Sequence, residues 1–398
     1  MAPGTLPLAE RLQHVALSPT MKGTIEAERL RRLGADLVDL GAGEPDFPTP
    51  PHVIAAAHAA LDEGFTKYTA NAGLADLRRA VAARYAEDHG VQYAPEEVII
   101  TAGGKQALFH AALALFEPGD EVVTHTPGWP TIVEQVKLAG ASPVQVPLDQ
   151  AAGFALTAGR LLAGTTSRTR GLILNSPANP TGACLADQDA RALAAEASRR
   201  GWWVVLDLCY DRLVYDDASH DLVRIFGEQM RDRLVICGST SKTYAMTGWR
   251  CGWMVAPQPV VEAAGALQSH QTSNVNAIAQ KAALAALTGP QECVAVMREA
   301  YRQRRDALIG WLAEEARLAA VTPSGAFYLF PTVATFLSPG GCATSQAFTE
   351  RLLHDAHVVV TPGEAFGAPG FVRLSYAASL ERLHEGATRL IRFARAAH

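Results

Sequence analysis

From Glu97 onward the chain repeats one unit: a short apolar run, a loop of small and polar residues, and a helix. That alternation limits the possible folds more than any other feature. Val98-Ile99-Ile100-Thr101 runs into Ala102-Gly103-Gly104-Lys105, with a helix expected through residue 116. Glu121-Val122-Val123-Thr124 leads to Pro127-Gly128-Trp129-Pro130 and a helix over 132–138. Gly171-Leu172-Ile173-Leu174 leads to the loop Asn175-Ser176-Pro177-Ala178-Asn179-Pro180-Thr181-Gly182 and a helix over 187–199. Trp203-Val204-Val205-Leu206 leads to Asp207-Leu208-Cys209-Tyr210, and Leu234-Val235-Ile236-Cys237 leads to a polar cluster starting at Ser239. Such alternation implies right-handed crossovers and a mostly parallel sheet with helices on both faces. In such a sheet a ligand binds outside the carboxyl ends of the strands, where every one of these loops falls.

The chain has 398 residues, which is too long for one core and fits a large domain with a smaller companion. Before the repeats, residues 1–20 read as an arm. A helix over 25–33, a strand over 36–40 and the loop Gly41-Ala42-Gly43-Glu44-Pro45-Asp46 follow. That loop lacks the third glycine of a dinucleotide fingerprint, and its prolines forbid a helix start, so it reads as a loop that approaches a ligand by its backbone. Helices are expected over 52–63 and 74–89, with Tyr68 in the connection, and the segment 260–287 reads as mainly helical. A long helix over 291–315 would link to a second α/β unit with strands near 325–330 and 371–376 and helices over 346–354 and 380–397. Gly340-Gly341 marks a flexible loop. The expected organisation is an arm and first part of the small domain over 1–46, a large domain over 47–290, and a linking helix and small domain over 291–398.

Chemistry concentrates in Ser239-Thr240-Ser241-Lys242-Thr243-Tyr244-Ala245-Met246-Thr247-Gly248-Trp249-Arg250. Hydroxyls and a guanidinium can reach the oxygens of a phosphate together. A lysine beside other cations in an enclosed site loses its proton more readily, as an amine that attacks a carbonyl must. A lysine next to a phosphate anchor points to pyridoxal 5'-phosphate held as a Schiff base. Taken alone, the same residues also suit an ordinary surface lysine after a strand. Gly103-Gly104 at a strand-to-helix junction suits an anion at a helix N-terminus, or simply a tight turn.

Composition removes other classes. With 48% apolar and 19% charged residues the chain can fill a sizeable core, and a net charge of -5 with a pI near 6.2 argues against nucleic acid or an anionic membrane as partner. The six cysteines are scattered without a Cys-x-x-Cys pair or histidines at zinc-ligand spacing, so they read as small hydrophobes in a reducing compartment, and no metal site is expected. There is no signal-peptide pattern at the start and no apolar run of about 18 residues. A cytoplasmic protein with small-molecule substrates is expected.

Three ordered motifs then decide the reading. Ser-x-Ser-Lys-x-x-x-x-x-Gly-x-Arg around Lys242, Asn-x-Pro-x-Asn-Pro-Thr-Gly around Asn179, and Asp-x-x-Tyr at Asp207 and Tyr210 occur in the order of a known family. Along almost its whole length the chain resembles a class I aminotransferase of the fold type I pyridoxal-phosphate enzymes, most of all the aspartate and prephenate subgroup. The resemblance implies that Lys242 forms the imine and moves the proton, that Asp207 faces the pyridine nitrogen, and that Tyr210 and Asn179 bond the ring oxygen. It implies Trp129 on the ring face and Gly103, Gly104, Lys105, Ser239, Ser241 and Arg250 around the cofactor, the glycines, serines and Arg250 holding its phosphate. Tyr68 would reach that phosphate in a neighbouring subunit, which implies a homodimer with shared sites. Arg373 would bind the substrate α-carboxylate with the Gly43 backbone, Trp129 and Asn179. Lys105 would read the distal carboxylate of aspartate or glutamate, with Thr20 assisting from the arm.

The activity implied is ping-pong transfer of the amino group of aspartate or glutamate to a 2-oxo acid. Departures from the subgroup are Leu208-Cys209 inside the Asp-x-x-Tyr motif, Gly128 before the stacking tryptophan, and His270 in a segment expected near the partner's site. They bear on the substrate side-chain pocket and leave open an aromatic, alanine-like or specialised donor, or a β-elimination lyase on the same fold. A pyridoxal-dependent transcription regulator would carry a DNA-binding domain ahead of this fold, and about 20 residues precede the first matched segment.

Overall fold

The computed structural model describes residues 20–216, 220–338 and 342–396, with side chains from residue 25 onward. Of the arm expected over residues 1–20, residues 1–19 and the Thr20 side chain lie outside the described residues, as does the Gly340-Gly341 loop.

After a first helix, Thr20–Arg32, comes the two-residue strand β1 (Val38–Asp39), and helices Pro51–Asp62 and Ala75–His89 follow. The large sheet is then laid down as β2 (Val98–Thr101), β3 (Glu121–Thr126), β4 (Ser142–Pro147), β5 (Thr169–Asn175), β6 (Trp203–Asp207), β7 (Leu234–Ser239) and β8 (Gly252–Val255). Their order across the sheet is β2-β8-β7-β6-β5-β3-β4. The pairs from β4 through to β7 are parallel, whereas β8 is antiparallel to both β7 and β2. Because β8 alone is reversed, β2, β3, β5, β6 and β7 all point their carboxyl ends to one side. That side therefore collects the loops carrying Gly103, Trp129, Asn179, Asp207 and Lys242.

Strand alternation explains why the sheet is covered twice. Ile99, Ile173, Val205 and Val235 face one core with Leu108 of helix Gly104–Leu115, Ile132 of Pro130–Leu138 and Val260 of Gln258–Ser269. Val98, Ile100, Leu172, Leu174, Val204 and Ile236 face the other, with Leu77, Leu193, Phe226 and Ala282 from four further helices. Successive residues of one strand thus serve opposite layers, so a run such as Val98-Ile99-Ile100 is apolar throughout.

A third core joins the two ends of the chain. Val38 pairs in parallel register with Val358 of β10 (Val358–Val359), and both pack with Tyr301, Phe327, Phe348 and Leu390. Beside them β9 (Tyr328–Leu329), β11 (Thr361–Pro362) and β12 (Val372–Ser375) form a small antiparallel sheet in the order β11-β12-β9. This is the expected α/β architecture, a large mostly parallel sheet between helices with a smaller α/β part built from both ends. Helix Glu292–Leu312 contributes Tyr301 and Leu308 to the third core, and helices Ser345–Ala356 and Leu380–Ala396 complete it.

Some elements differ from the sequence reading. The mainly helical segment 260–287 is two helices, Gln258–Ser269 and Ala277–Thr288. Ser273 between them has a left-handed φ of 55°, and the Asn276 side chain accepts from the Ala279 amide to start the second helix. The strand β4 and helices Ala158–Ala163 and Leu222–Met230 are additional. Of the cysteines, Cys237, Cys251 and Cys342 are buried as expected, while Cys184, Cys209 and Cys293 are partly exposed.

Candidate active site

Beyond the carboxyl ends of the strands lies a cavity of about 570 Å³, lined among others by Gly43, Trp129, Asn179, Asp207, Tyr210, Lys242 and Arg373. Seven of the expected site residues thus meet in one place.

Lys242 sits on the short helix Thr240–Thr243 that begins where β7 ends. Ser239 caps that turn, its hydroxyl accepting from the Ser241 amide at 3.0 Å. The Lys242 amine donates to the Gly43 carbonyl, which brings the loop after β1 against the loop after β7. Burial holds the Lys242 pKa below the usual lysine value; Cys209 and Glu44 pull the other way, and Arg373 and Arg250 add to the fall. Such an amine is poised to lose its proton.

Asp207 ends β6 and is buried, its Oδ1 accepting from the Cys209 amide at 3.2 Å. Burial raises its pKa to about 7, which the Cys209 hydrogen bond and Lys242 partly offset and Asp211 increases. Among the described residues no cation stands within ion-pair distance of it. Three residues on, the Tyr210 hydroxyl lies 2.8 Å from that of Tyr328. The Asn175 side chain accepts from the Asn179 amide at 2.8 Å and so fixes the loop after β5.

Arg373 is 4% exposed, on β12. Its Nη1 donates to Asn179 Oδ1 at 3.0 Å and its Nη2 to the Gly41 carbonyl at 2.8 Å, while the Tyr328 ring covers its face at 4.3 Å. Its Nε is buried without an acceptor, and no described carboxylate pairs with it. A buried guanidinium left with a spare donor is suited to an incoming anion.

A second group of expected residues forms a cradle at the back. Gly103, with φ of +81°, opens the helix Gly104–Leu115, and a Cβ there would come within 2.5 Å of Arg250 Nη2. A Cβ on Gly104 would stand 3.5 Å from Ser239 Cβ, and the Ser239 and Ser241 hydroxyls are 2.8 Å apart. Arg250 itself holds a left-handed φ of 53° and donates to the Thr247 and Ala102 carbonyls. The structure therefore brings a helix N-terminus, two hydroxyls and a guanidinium together, a set of donors whose chemistry suits a phosphate. Lys105 is not among the residues that line the cavity but stands beside one that does, its amine 5.1 Å from the centre of the Trp129 ring, with a pKa lowered by burial and by Arg250.

With this geometry in view, residues 35–390 match the family described as aminotransferase class I and II. The chain belongs to that family. It is 41% identical to the aspartate aminotransferase of Geobacillus stearothermophilus, over 97% of this chain and 98% of the relative. It is 40% identical to a probable aspartate/prephenate aminotransferase of Aquifex aeolicus, over 96% of this chain and 97% of the relative. A solved aspartate aminotransferase of Thermus thermophilus with maleate superposes with a TM-score of 0.92 at 40% identity, over 98% of this chain and all of that one.

This family implies pyridoxal phosphate, and the aminotransferase has groups that fit it: a cradle for its phosphate, a buried acid for its ring nitrogen, and an amine with a lowered pKa for its aldehyde. The remaining expected residues fall elsewhere. Tyr68 is 91% exposed and lies outside this cavity, lining a groove with Asn274 and Asn276. Trp202 and Trp253 are buried in packing, and Trp249 donates to Thr49.

Several residues of the cavity carried no sequence signal. Tyr328 sits in the run Gly325–Phe330, where Phe327 next to it is equally aromatic, so residue type could not separate the core side chain from the one facing Arg373. Cys209, by contrast, is one of the departures bearing on the substrate pocket, and it lines the cavity; burial raises its thiol pKa to about 12, so it stays protonated there. Gly252 lies outside the motifs, yet a Cβ on it would stand 2.7 Å from Gly103 C and Gly104 N. Asp39 and Arg31 line the mouth as a pair.

Proposed function

We propose that this aminotransferase binds pyridoxal 5'-phosphate and moves the amino group of aspartate or glutamate to a 2-oxo acid in a ping-pong cycle. The observation that carries the reading is the convergence of the Lys242 amine, the buried Asp207 carboxyl and the spare donor of Arg373 on one cavity. When bound, the cofactor supplies an aldehyde that condenses with amines and a ring that accepts electron density. Lys242, with its lowered pKa, would hold the cofactor at its aldehyde and would serve as the base that takes the proton of the substrate α-carbon onto its own amine and hands it on to the cofactor. Asp207 holds a proton on the ring nitrogen. Tyr210 and Asn179 hydrogen-bond the ring oxygen, and Trp129 covers the ring and excludes water.

Gly103, Gly104, Ser239, Ser241 and Arg250 hold the phosphate. Arg373 binds the α-carboxylate through its fork, alongside Asn179 and the Gly43 backbone. Lys105, over Trp129 and without a carboxylate partner among the described residues, takes the distal carboxylate. The exposure of Tyr68 supports its donation to the site of a second copy in a homodimer. The packing of β1 on β10 supports a division of the chain at about residues 46 and 290, with the small domain built from 1–46 and 291–398. A cytoplasmic location accords with the absence, among the described residues, of a helix long and apolar enough to cross a membrane.

Single-turnover absorbance with a panel of amino donors tests the reading, run on the parent protein and on Lys105→Ala. Aspartate and glutamate are expected to convert the bound cofactor, and the substitution to weaken dicarboxylic donors about 10- to 100-fold more than monocarboxylic ones, the scale of one desolvated charge pair. Equal losses for both classes would refute the role of Lys105. Failure of both dicarboxylic donors with the parent protein would refute the substrate assignment.

A further inference from the structure

The cavity contains an ion pair that the reaction does not use. Asp39 ends β1, and its two carboxylate oxygens have separate partners: Oδ1 accepts from the Gly41 amide at 3.0 Å, and Oδ2 is bound by Arg31 of the first helix. Both side chains line the cavity that holds Lys242 and Arg373. Gly41 is the residue whose carbonyl accepts from Arg373 Nη2 at 2.8 Å, and Thr361 donates to the same carbonyl at 3.5 Å. A Cβ on Gly41 would stand 3.2 Å from Val359 and 3.5 Å from Asp39 Oδ1, so the turn is closely fitted between β1 and β10.

We propose that Asp39 is a positioning residue for Arg373, and that Arg31 neutralises it. One oxygen fixes the Gly41 turn, and the Gly41 carbonyl in turn sets the direction of the guanidinium that receives the substrate carboxylate. The other oxygen is held by Arg31, without which a carboxylate would stand in the same cavity as an anionic substrate and repel it. The pair is partly open to solvent, with side-chain exposures of 39% for Arg31 and 30% for Asp39, so its effect on an approaching anion is moderate and sensitive to salt. The inference rests on the proposal that Arg373 binds the α-carboxylate.

Three substitutions separate the two duties, read as KM against kcat for an amino donor and as the inhibition constant of a non-reacting dicarboxylate, maleate. Asp39→Ala removes the cap of Gly41 and is expected to raise both constants about tenfold, with a much smaller change in kcat, as for a lost part-buried hydrogen bond to a charged acceptor. Asp39→Asn keeps an acceptor for the Gly41 amide and recovers most of that loss. Arg31→Ala leaves the Asp39 charge uncovered and is expected to raise KM about fivefold at low ionic strength, less at high salt. Adding Asp39→Asn to Arg31→Ala removes the repulsion and brings KM back down, a recovery that a purely structural role for the pair would not produce. Unchanged constants in Asp39→Ala, or no recovery in the double variant, overturn the inference. Arg373→Ala is the control for the underlying reading: if it binds maleate as well as the parent does, that reading fails first, whereas if it fails to bind and Asp39→Ala is unaffected, only the role of Asp39 falls.

Discussion

The hydroxyls of Tyr210 and Tyr328 lie 2.8 Å apart although 118 residues separate them in sequence. Tyr210 closes the loop after β6, and Tyr328 begins β9 with Arg373 against its ring face. One phenol therefore links the residue proposed to hold the cofactor ring to the residue proposed to hold the substrate carboxylate. Tyr328→Phe keeps the ring and its contact with Arg373 while removing the hydrogen bond. It is expected to lower kcat/KM about 3- to 10-fold, matching a net hydrogen-bond contribution near 1 kcal/mol. A cycle with Tyr210→Phe should give a coupling of about 1 kcal/mol. Strictly additive losses would show that the two hydroxyls act independently.

Asp207 gives a pH signature to the cofactor-free protein. Burial raises its pKa to about 7, against 3.8 for an ordinary aspartate, so the folded state keeps a proton that the unfolded state has released. Stability from this group is therefore fully present below pH 3.8 and is lost as pH rises towards 7, by a few kcal/mol at most. Asp207→Asn removes that titration. In thermal unfolding without cofactor the variant should be more stable than the parent at pH 8, and the gap should close towards pH 4. With cofactor the order should reverse, because the variant lacks the charge that faces the ring nitrogen. A constant gap across pH would show that Asp207 does not carry the buried proton.

How much of this was legible beforehand follows from where the information sits in the chain. The loops after β2, β3, β5, β6 and β7 were readable because each lies between an apolar run and a helix, and the parallel order then places them side by side. The cradle was readable for the same reason: glycine at a strand end and hydroxyls before a lysine are local features. Tyr328 and Asp39 were not: the Tyr328 hydroxyl meets Tyr210 across 118 residues of sequence, and Asp39, though bonded to nearby Gly41 and Arg31, gains its importance because Gly41 meets Arg373, 332 residues on. The break at Ser273 was missed because alanine-rich helices on both sides preserve the helical pattern through it. Cys209 read both as a small hydrophobe and as a departure inside the Asp-x-x-Tyr motif, and its place between Asp207 and Tyr210 puts it on the cavity wall.

Glu44 sets an electrostatic limit on the site. It lines the cavity, accepts from the Thr247 hydroxyl at 2.8 Å, and raises the pKa of Lys242 against the effect of burial. Glu44→Gln preserves the acceptor and removes the charge. The Lys242 pKa should then fall, and KM for dicarboxylic donors should drop about two- to fivefold at low salt, since one repelling charge at a partly solvated site is worth about 0.5–1 kcal/mol. The pH dependence of Lys242 labelling by an amine reagent in cofactor-free protein reads the first effect, and steady-state kinetics the second. A Lys242 profile that stays in place would mean that the Glu44 charge is fully screened.

Two glycines near Arg250 make opposite predictions. Gly248 belongs to the motif around Lys242, yet a Cβ there would meet nothing within 4 Å. Gly252, outside the motif and first in β8, would place a Cβ 2.7 Å from Gly103 C, Gly104 N and the Gly238 carbonyl. All three are backbone atoms of neighbouring elements, so nothing flexible can move aside, and the Gly103-Gly104 turn would have to leave the sheet. Gly252→Ala should therefore cost about 1–3 kcal/mol of stability, as overpacking does. It should also weaken cofactor binding at least about tenfold, because displacing the turn by a fraction of an ångström spoils donors aimed at one phosphate. Gly248→Ala should change stability by no more than about 0.5 kcal/mol. Thermal unfolding and cofactor titration of the two variants side by side decide the matter: if Gly252→Ala bound the cofactor as the parent does, the phosphate would not be held by the turn that β8 presses into place.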